Sequence, residues 1–390
     1  MADHPRLAFL DGLRGLALIA MVVNHTARAW IGGHMTWSRY ALIYITLSTA
    51  APMFLFLVGF CLPLAVRPGE SERLSRLARH FVPRGARIVL GGLLLNVLVF
   101  PGEPVLSGGV LQTIGLAIIA MVPALWLVRR PWGGWTLLAI AVLGYITFVA
   151  AYSTLQQFVT RHARLGLMLF YDFPPWPWLS LVLIGLVIGW VWLHTHERDP
   201  RAGARLMAIG AGLGTLMVLA FFLYDAWAAT PVRFGLRRDF ILNRHWTPRG
   251  VALLWVLGMI LLSLAAMYWL MERRGWRLRW LVVYGQTALF LYFFHQVIAF
   301  RLVEQYLHWH FDRWPLFAAA NIVFLLILLA CGWAWRAAKP GIRQIARGIG
   351  AASSARVGWP AIPADDAAAG VHGEGGARAT MVNGREGGAP

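Results

Sequence analysis

The chain has 390 residues, of which 59% are hydrophobic and only 13% are charged, with a formal net charge of +18 and a mean hydropathy of +0.61. Soluble globular chains carry about 25% charged residues, so this composition excludes an ordinary soluble enzyme, and two cysteines exclude a disulfide-stapled secreted domain. The basic residues lie in short segments between apolar runs, which indicates the positive-inside bias of membrane proteins rather than nucleic-acid binding.

Apolar runs of about 20 residues recur along the chain and predict an all-α, polytopic transmembrane helix bundle of about ten spans. The predicted spans are residues 9–31, 42–66, 88–101, 109–128, 135–152, 179–194, 206–224, 250–271, 280–303 and 315–336. Placing both termini in the cytoplasm puts most of the arginines on the inside, as the positive-inside rule requires. We expect a transmembrane domain over residues 1–337 and a cytoplasmic tail over 338–390, mostly disordered because its Gly- and Ala-rich sequence buries little apolar surface.

Polar residues share one face of the first span. At about 100° per residue, Asp11, Arg14, His25 and Arg28 fall on a stripe about 100° wide, with His25 about 16 Å beyond Arg14 along the axis. Such groups cost several kcal/mol in hydrocarbon, roughly, and are kept where they face a partner, a cavity or a substrate. Two structural alternatives remain open: an Asp11–Arg14 pair that only anchors the helix end, and a His25 that only bonds a neighbouring helix.

Three further segments carry candidate residues. His34 lies in the first outside loop, and His295 lies in the aromatic-rich ninth span together with Tyr292. The outside loop between the seventh and eighth spans is basic and includes Arg244; it could bind an anionic substrate or headgroup, or be a translocated loop that tolerates charge. His34 could equally be a solvated loop residue, and His295 a packed one. No metal site is predicted, since no set of ligands has the required spacing.

Taken together, these residues resemble the transmembrane acyltransferase superfamily. The segment 10–17 (LDGLRGLA), followed by His25, resembles the first helix of that superfamily. The superfamily includes the acyltransferase-3 proteins, which O-acylate bacterial glycans, and the heparan-α-glucosaminide N-acetyltransferase-like group. Segments similar to motifs of the second group are 33–37 (GHMTW), 51–60, 244–248 (RHWTP) and 285–295. His25 matches the acyltransferase-3 pattern and His34 the eukaryotic one, so the resemblance leaves open which of them does the proton chemistry.

The resemblance implies an integral membrane acyltransferase of the bacterial inner membrane. It would move an acyl group, most simply acetyl, from cytoplasmic acyl-CoA to a hydroxyl or amine of a sugar or glycan. Acyl-CoA is then a co-substrate, and no bound cofactor is expected. The other expected partners are the bilayer and the sugar or glycan acceptor, and no nucleic acid is expected. Formation of a homodimer is left open. The catalytic candidates are His25, His295 and His34, and the substrate-binding candidates are Asp11, Arg14, Asn24, Arg28, Tyr292 and Arg244.

Two alternative functions remain at this point. Buried His and Arg residues also mark the ion and proton pathways of membrane proteins, which would suit a multi-span transporter or flippase of a polar or anionic substrate. Within the acyltransferase class, the protein could instead be a succinyltransferase that acts on glucan. Binding of acyl-CoA distinguishes either enzyme from the transporter.

Overall fold

The computed structural model describes residues 7–32, 43, 46–66, 74–102, 104–162, 164, 166, 173–227 and 252–356. In these residues the regular structure is helical, apart from one isolated β-bridge between Ile31 and Phe311. The helices, in chain order, are α1 (Ala8–Trp30), α2 (Ala50–Cys61), α3 (Leu74–Val99), α4 (Val110–Leu127), α5 (Gly133–Arg161), α6 (Pro175–Arg198), α7 (Pro200–Trp227), α8 (Ala252–Tyr268), α9 (Arg279–Gln286), α10 (Ala288–Gln296) and α11 (Trp314–Arg356).

The predicted all-α polytopic bundle is confirmed. Eight helices of the described chain are long and apolar enough to cross a membrane, and a ninth span results if the bent pair of α9 and α10 is one crossing. A shorter apolar segment, Leu47–Cys61, lies where the second span was predicted. The count of ten, the cytoplasmic placement of both termini and the domain boundary after residue 337 stay predictions.

The predicted start of the third span, residue 88, was wrong, because the helix there, α3, begins at Leu74. Leu77, Phe81 and Gly85 are buried at four-residue intervals, whereas Arg84 and Arg87 are exposed. Such a stripe stabilises a helix that continues past the apolar run. These arginines, which precede the predicted third span, therefore lie on a helix surface.

The predicted single span over residues 280–303 is broken. The axes of α9 and α10 differ by 77°, and Thr287 between them leaves the helical conformation. Its hydroxyl donates to the carbonyl oxygen of Val283 at 2.7 Å, a local side-chain bond that competes with regular helix geometry. After α10 the chain continues as a π-helix over Val297–Tyr306, a conformation often found at functional sites.

Glycines let α1 and α9 cross at backbone distance. A Cβ at Gly15 would overlap the carbonyl oxygen of Leu281, and one at Gly285 would overlap that of Asp11. Small residues at such crossings are how membrane helices pack closely without a hydrophobic driving force between them. The crossing holds the broken span against α1 and brings α10 beside the second half of that helix.

Candidate active site

The structure brings together two histidines that are far apart in the sequence. His25 Nδ1 of α1 lies 2.9 Å from His295 Nε2 of α10. The ring planes are within 12° of parallel and the centroids are 5.2 Å apart. Because the two nitrogens are much closer than the centroids, the rings meet edge to edge in a hydrogen bond rather than face to face. His295 is fully buried.

The backbone of α10 fixes where the protons of this pair reside. His295 Nδ1 lies 2.9 Å from the carbonyl oxygen of Leu291, and a carbonyl can only accept, so Nδ1 must carry a hydrogen. In a neutral ring the other nitrogen, Nε2, then has a lone pair and accepts from the Nδ1–H of His25. The remaining nitrogen of His25, Nε2, is left as a lone-pair acceptor, the form that a general base needs.

Contacts at the C-terminal end of α1 hold His25 in this position. The indole nitrogen of Trp30 donates to the carbonyl oxygen of Ala299 in the π-helix, at 3.0 Å. Thr26 donates to the side-chain oxygen of Asn321 on α11, at 2.6 Å. Both bonds lie within about a turn and a half of His25. These two bonds therefore orient the face of α1 that carries His25 toward α10.

His25 lines a polar cavity of about 230 Å³. Arg28, one turn further along α1, is the only formally charged residue among the described residues of its wall. The aromatic rings of Phe100 and Phe300 also contribute to the wall. The uncharged polar residues that line it are Asn24, Ser48, Asn96, Ser107, Gln112, Tyr292 and Gln296.

Most amides of the cavity wall use their N–H groups to hold the wall itself. Asn24 donates to the carbonyl oxygen of Ile43 at 2.6 Å. Asn96 and Gln112 both donate to the carbonyl oxygen of Ser107, at 2.9 Å and 3.2 Å. These bonds fix the turn that leads into α4, whose first residues line the cavity. The N-cap, Gly109, provides no side-chain cap, so the positive end of this helix faces the cavity uncapped.

A second polar cluster lies near the N-terminal end of α1. Arg14 donates to the carboxylate of Asp11 at 2.8 Å and to the sulfur of Cys61 on α2 at 3.0 Å. Gln286, the last residue of α9, donates to the other oxygen of Asp11 at 3.0 Å. The charge of Arg84 on α3 is within electrostatic range of Arg14. In this described cluster the cations outnumber the one carboxylate, so it is suited to an anion.

The sequence candidates thus separate into two places. Asn24, His25, Arg28 and Tyr292 line the cavity, and His295 bonds to His25. Asp11 and Arg14 are paired, as one alternative anticipated, and are not among the lining residues of the cavity. His34 and Arg244 lie outside the described residues. The roles of all these residues stay predictions.

Sequence reasoning missed three amides of the cavity wall. Asn96, Gln112 and Gln296 are all buried in helices of apolar composition. A buried amide needs hydrogen-bond partners, so amides inside apolar runs are a signal comparable to the histidines. That signal alone does not say which of them face a common cavity.

Comparison with known families supports the resemblance found in the sequence. A family model described as heparan-alpha-glucosaminide N-acetyltransferase, catalytic, matches residues 6–225. The match covers more than half of the chain and includes His25 and helices α1 to α6 entirely. No curated protein matches the chain. The chain therefore belongs to the heparan-alpha-glucosaminide N-acetyltransferase catalytic-domain family.

Proposed function

We propose that this integral membrane transferase moves an acyl group, most simply acetyl, from acyl-CoA to a hydroxyl or amine of a sugar or glycan. The observation that carries the proposal is the chain of hydrogen bonds from His25 through His295 to the Leu291 carbonyl. It leaves a basic nitrogen on a residue that lines a polar cavity, in a chain of this family. The donor would bind from the cytoplasm, and the membrane would be the bacterial inner membrane.

His25 acts as the general base. Its Nε2 takes the proton of the acceptor O–H or N–H while the acceptor oxygen or nitrogen attacks the thioester carbonyl. The new C–O or C–N bond forms, the C–S bond breaks, and the proton held by His25 is returned to the departing CoA sulfur. General base catalysis of this kind contributes about 10²- to 10⁴-fold to a rate. His295 is a positioning residue, since it touches His25 rather than the substrates.

The cationic cluster at the other end of α1 suits the phosphates of acyl-CoA. Arg14 and Arg84 provide guanidinium groups, which bind phosphate with paired N–H donors. Arg14 and His25 are eleven residues apart on one helix, about 16 Å along its axis, a distance that an extended pantetheine arm can span. Between them Leu18 and Met21 are buried, and Met21 forms part of the cavity wall. The arm would therefore pass these two side chains to reach the cavity.

The cavity suits the acceptor. Its amides, hydroxyls and aromatic rings are the groups that hydrogen-bond and stack on sugars, and its volume is of the order of a single small ring rather than a large lipid. The uncapped N-terminus of α4 adds backbone N–H groups and positive potential to the same wall. Such an end stabilises the oxyanion that develops when the thioester carbonyl is attacked.

Replacement of the base tests the proposal. We expect purified His25→Ala to lose about 10²- to 10⁴-fold of the transfer of labelled acetyl from acetyl-CoA to glucosamine, because the general base is removed. Acetyl-CoA binding, measured as a thermal shift in detergent, should be unchanged. The control His194→Ala removes a histidine that hydrogen-bonds to the carbonyl oxygen of Trp190 in its own helix and lies outside the cavity wall, so it should retain transfer.

Two results would contradict the proposal. Wild-type transfer by a folded His25→Ala protein would remove His25 from the chemistry. The transporter alternative would be favoured if the wild-type protein does not bind acetyl-CoA and if surface glycans from cells with and without the gene show no mass difference of one acyl unit. The same mass comparison identifies the acyl group and the acceptor. The formation of a homodimer stays a prediction.

A further inference from the structure

The short connection between α4 and α5 carries two adjacent arginines, Arg129 and Arg130. This α4–α5 turn covers residues 128–132. Both α4 and the first 20 residues of α5 are long and apolar enough to cross a membrane, so the turn between them lies at the level of the lipid headgroups. Trp132 and Trp135, which are 76% and 72% exposed, agree with this depth, because tryptophan concentrates at the membrane–water boundary.

Contacts with aromatic rings hold both guanidinium groups of the α4–α5 turn in place. The Cζ atom of Arg129 lies 5.2 Å from the ring centroid of Trp190 on α6. The Cζ atom of Arg130 lies 4.5 Å from the ring centroid of Trp126 on α4. The turn itself is fixed by its backbone, since the N–H of Gly133 donates to the carbonyl oxygen of Arg130 at 2.8 Å. The two cations are therefore pre-organised, and a ligand that binds them orders little that is not already ordered.

The positive charge of the α4–α5 turn has no acidic counterpart close to it in the chain. The sequence contains no aspartate or glutamate from position 104 to 171, so none belongs to α4, the turn or α5. Neither arginine forms a salt bridge with a carboxylate among the described residues. Two guanidinium groups in this state are complementary to an anion, and phosphate oxygens accept their paired N–H donors particularly well.

We propose that the α4–α5 turn is a binding site for an anionic phospholipid, whose phosphate is held by Arg129 and Arg130. A lipid fits better than a soluble phosphate, because the turn lies at headgroup depth and tryptophans flank the two arginines on both sides in the chain. A zwitterionic choline lipid fits less well, because its quaternary ammonium is repelled by the two cations. The acyl chains then lie along exposed apolar side chains of α5 that continue from the turn, which are Ile140, Leu143 and Ile146.

The proposal concerns the bilayer and does not depend on the transfer reaction, so its test measures bound lipid. Purified full-length protein is equilibrated in dodecyl maltoside micelles with equal amounts of phosphatidylglycerol and phosphatidylcholine of the same chain length. Native mass spectrometry then counts the lipids retained. We expect retention of phosphatidylglycerol over phosphatidylcholine by roughly 10- to 30-fold, since each arginine near an anionic headgroup contributes about a fivefold preference.

A double variant assigns this preference to the two arginines. In Arg129→Gln/Arg130→Gln the preference for phosphatidylglycerol should fall by about fivefold or more. The matched control, Arg198→Gln/Arg201→Gln, removes the same charge where α6 meets α7, next to Glu197 and Asp199 in the chain. Since those carboxylates already offset the local charge, the control should keep the wild-type preference to within roughly twofold. The unfolding temperatures of the three proteins in lipid-free detergent establish that all are folded.

An equal loss of preference in both double variants would overturn the proposal, because general attraction between a basic protein and anionic lipid would then explain the retention. An undiminished preference in folded Arg129→Gln/Arg130→Gln would overturn it as well. Two comparisons need only the wild type and hold even if that variant does not fold. Equal retention of the two lipids would contradict an anionic site. A rise in unfolding temperature with glycerol phosphate that equals the rise with phosphatidylglycerol would show that the ligand is a soluble phosphate and not a lipid.

Discussion

Removal of His295 tests the hydrogen bond that sets the state of His25. In His295→Leu the Nδ1–H of His25 loses its acceptor in a buried setting, where the bond was 2.9 Å long. An unsatisfied buried donor costs about 1–3 kcal/mol. The tautomer of His25 with its hydrogen on Nε2 avoids this cost, so it replaces the tautomer that can act as a base. At about 1.4 kcal/mol per factor of ten, kcat should fall roughly 5- to 150-fold. The KM values for both substrates should change little, because His295 touches neither of them in the proposed mechanism.

A second variant separates the hydrogen bond from the packing. His295→Gln places an amide oxygen near the position of the lost Nε2 and can accept from His25 again, so kcat should recover to within about tenfold of wild type. The assay is single-turnover acetyl transfer with saturating acetyl-CoA, on proteins whose unfolding temperatures in detergent agree. A wild-type kcat in folded His295→Leu, or an equal loss in the Leu and Gln variants, would refute the reasoning.

Two further predictions concern the opposite end of α1. Arg14→Gln should raise the Kd for acetyl-CoA by roughly 10-fold or more, since hydrogen bonds to charged groups contribute about 1.5–3 kcal/mol. Isothermal titration calorimetry measures this Kd. An unchanged Kd would show that Arg14 does not bind the acyl donor. Gly285→Ala places a Cβ against the Asp11 carbonyl, and such overpacking should lower the free energy of unfolding by about 1–3 kcal/mol. Thermal unfolding in detergent checks it against Gly210→Ala, whose added Cβ meets nothing within 4 Å.

The helical period was sufficient to predict the stripe on α1. Asp11, Arg14, His25 and Arg28 recur at intervals that place them on one face, and the structure gives each of the first three a partner from another helix or its own turn. The partner of His25 was not predictable, because His295 is 270 residues away and only the tertiary fold sets their distance. The tautomer, too, depends on a backbone carbonyl that no side-chain pattern specifies.

Errors in the helix boundaries have physical causes. Hydropathy left the arginine-rich start of α3 outside the predicted third span, although Leu77 and Phe81 continue a buried stripe there. The break at Thr287 falls in a pair of polar residues, Gln286 and Thr287, which is too short to interrupt an apolar window. Because the arginines that could meet acyl-CoA lie on a helix surface rather than a loop, their spacing is set by the helix and not by chain flexibility.

The bond from His295 to the Leu291 carbonyl has a consequence for the energetics of a site inside a bilayer. Soluble enzymes often orient a catalytic imidazole with an aspartate, which adds a buried negative charge. Here a peptide carbonyl of the same helix does this, and no carboxylate is present among the described residues that line the cavity. The group that orients the proposed base is thus electrically neutral, so holding that base in a lipid interior carries no ionic desolvation penalty.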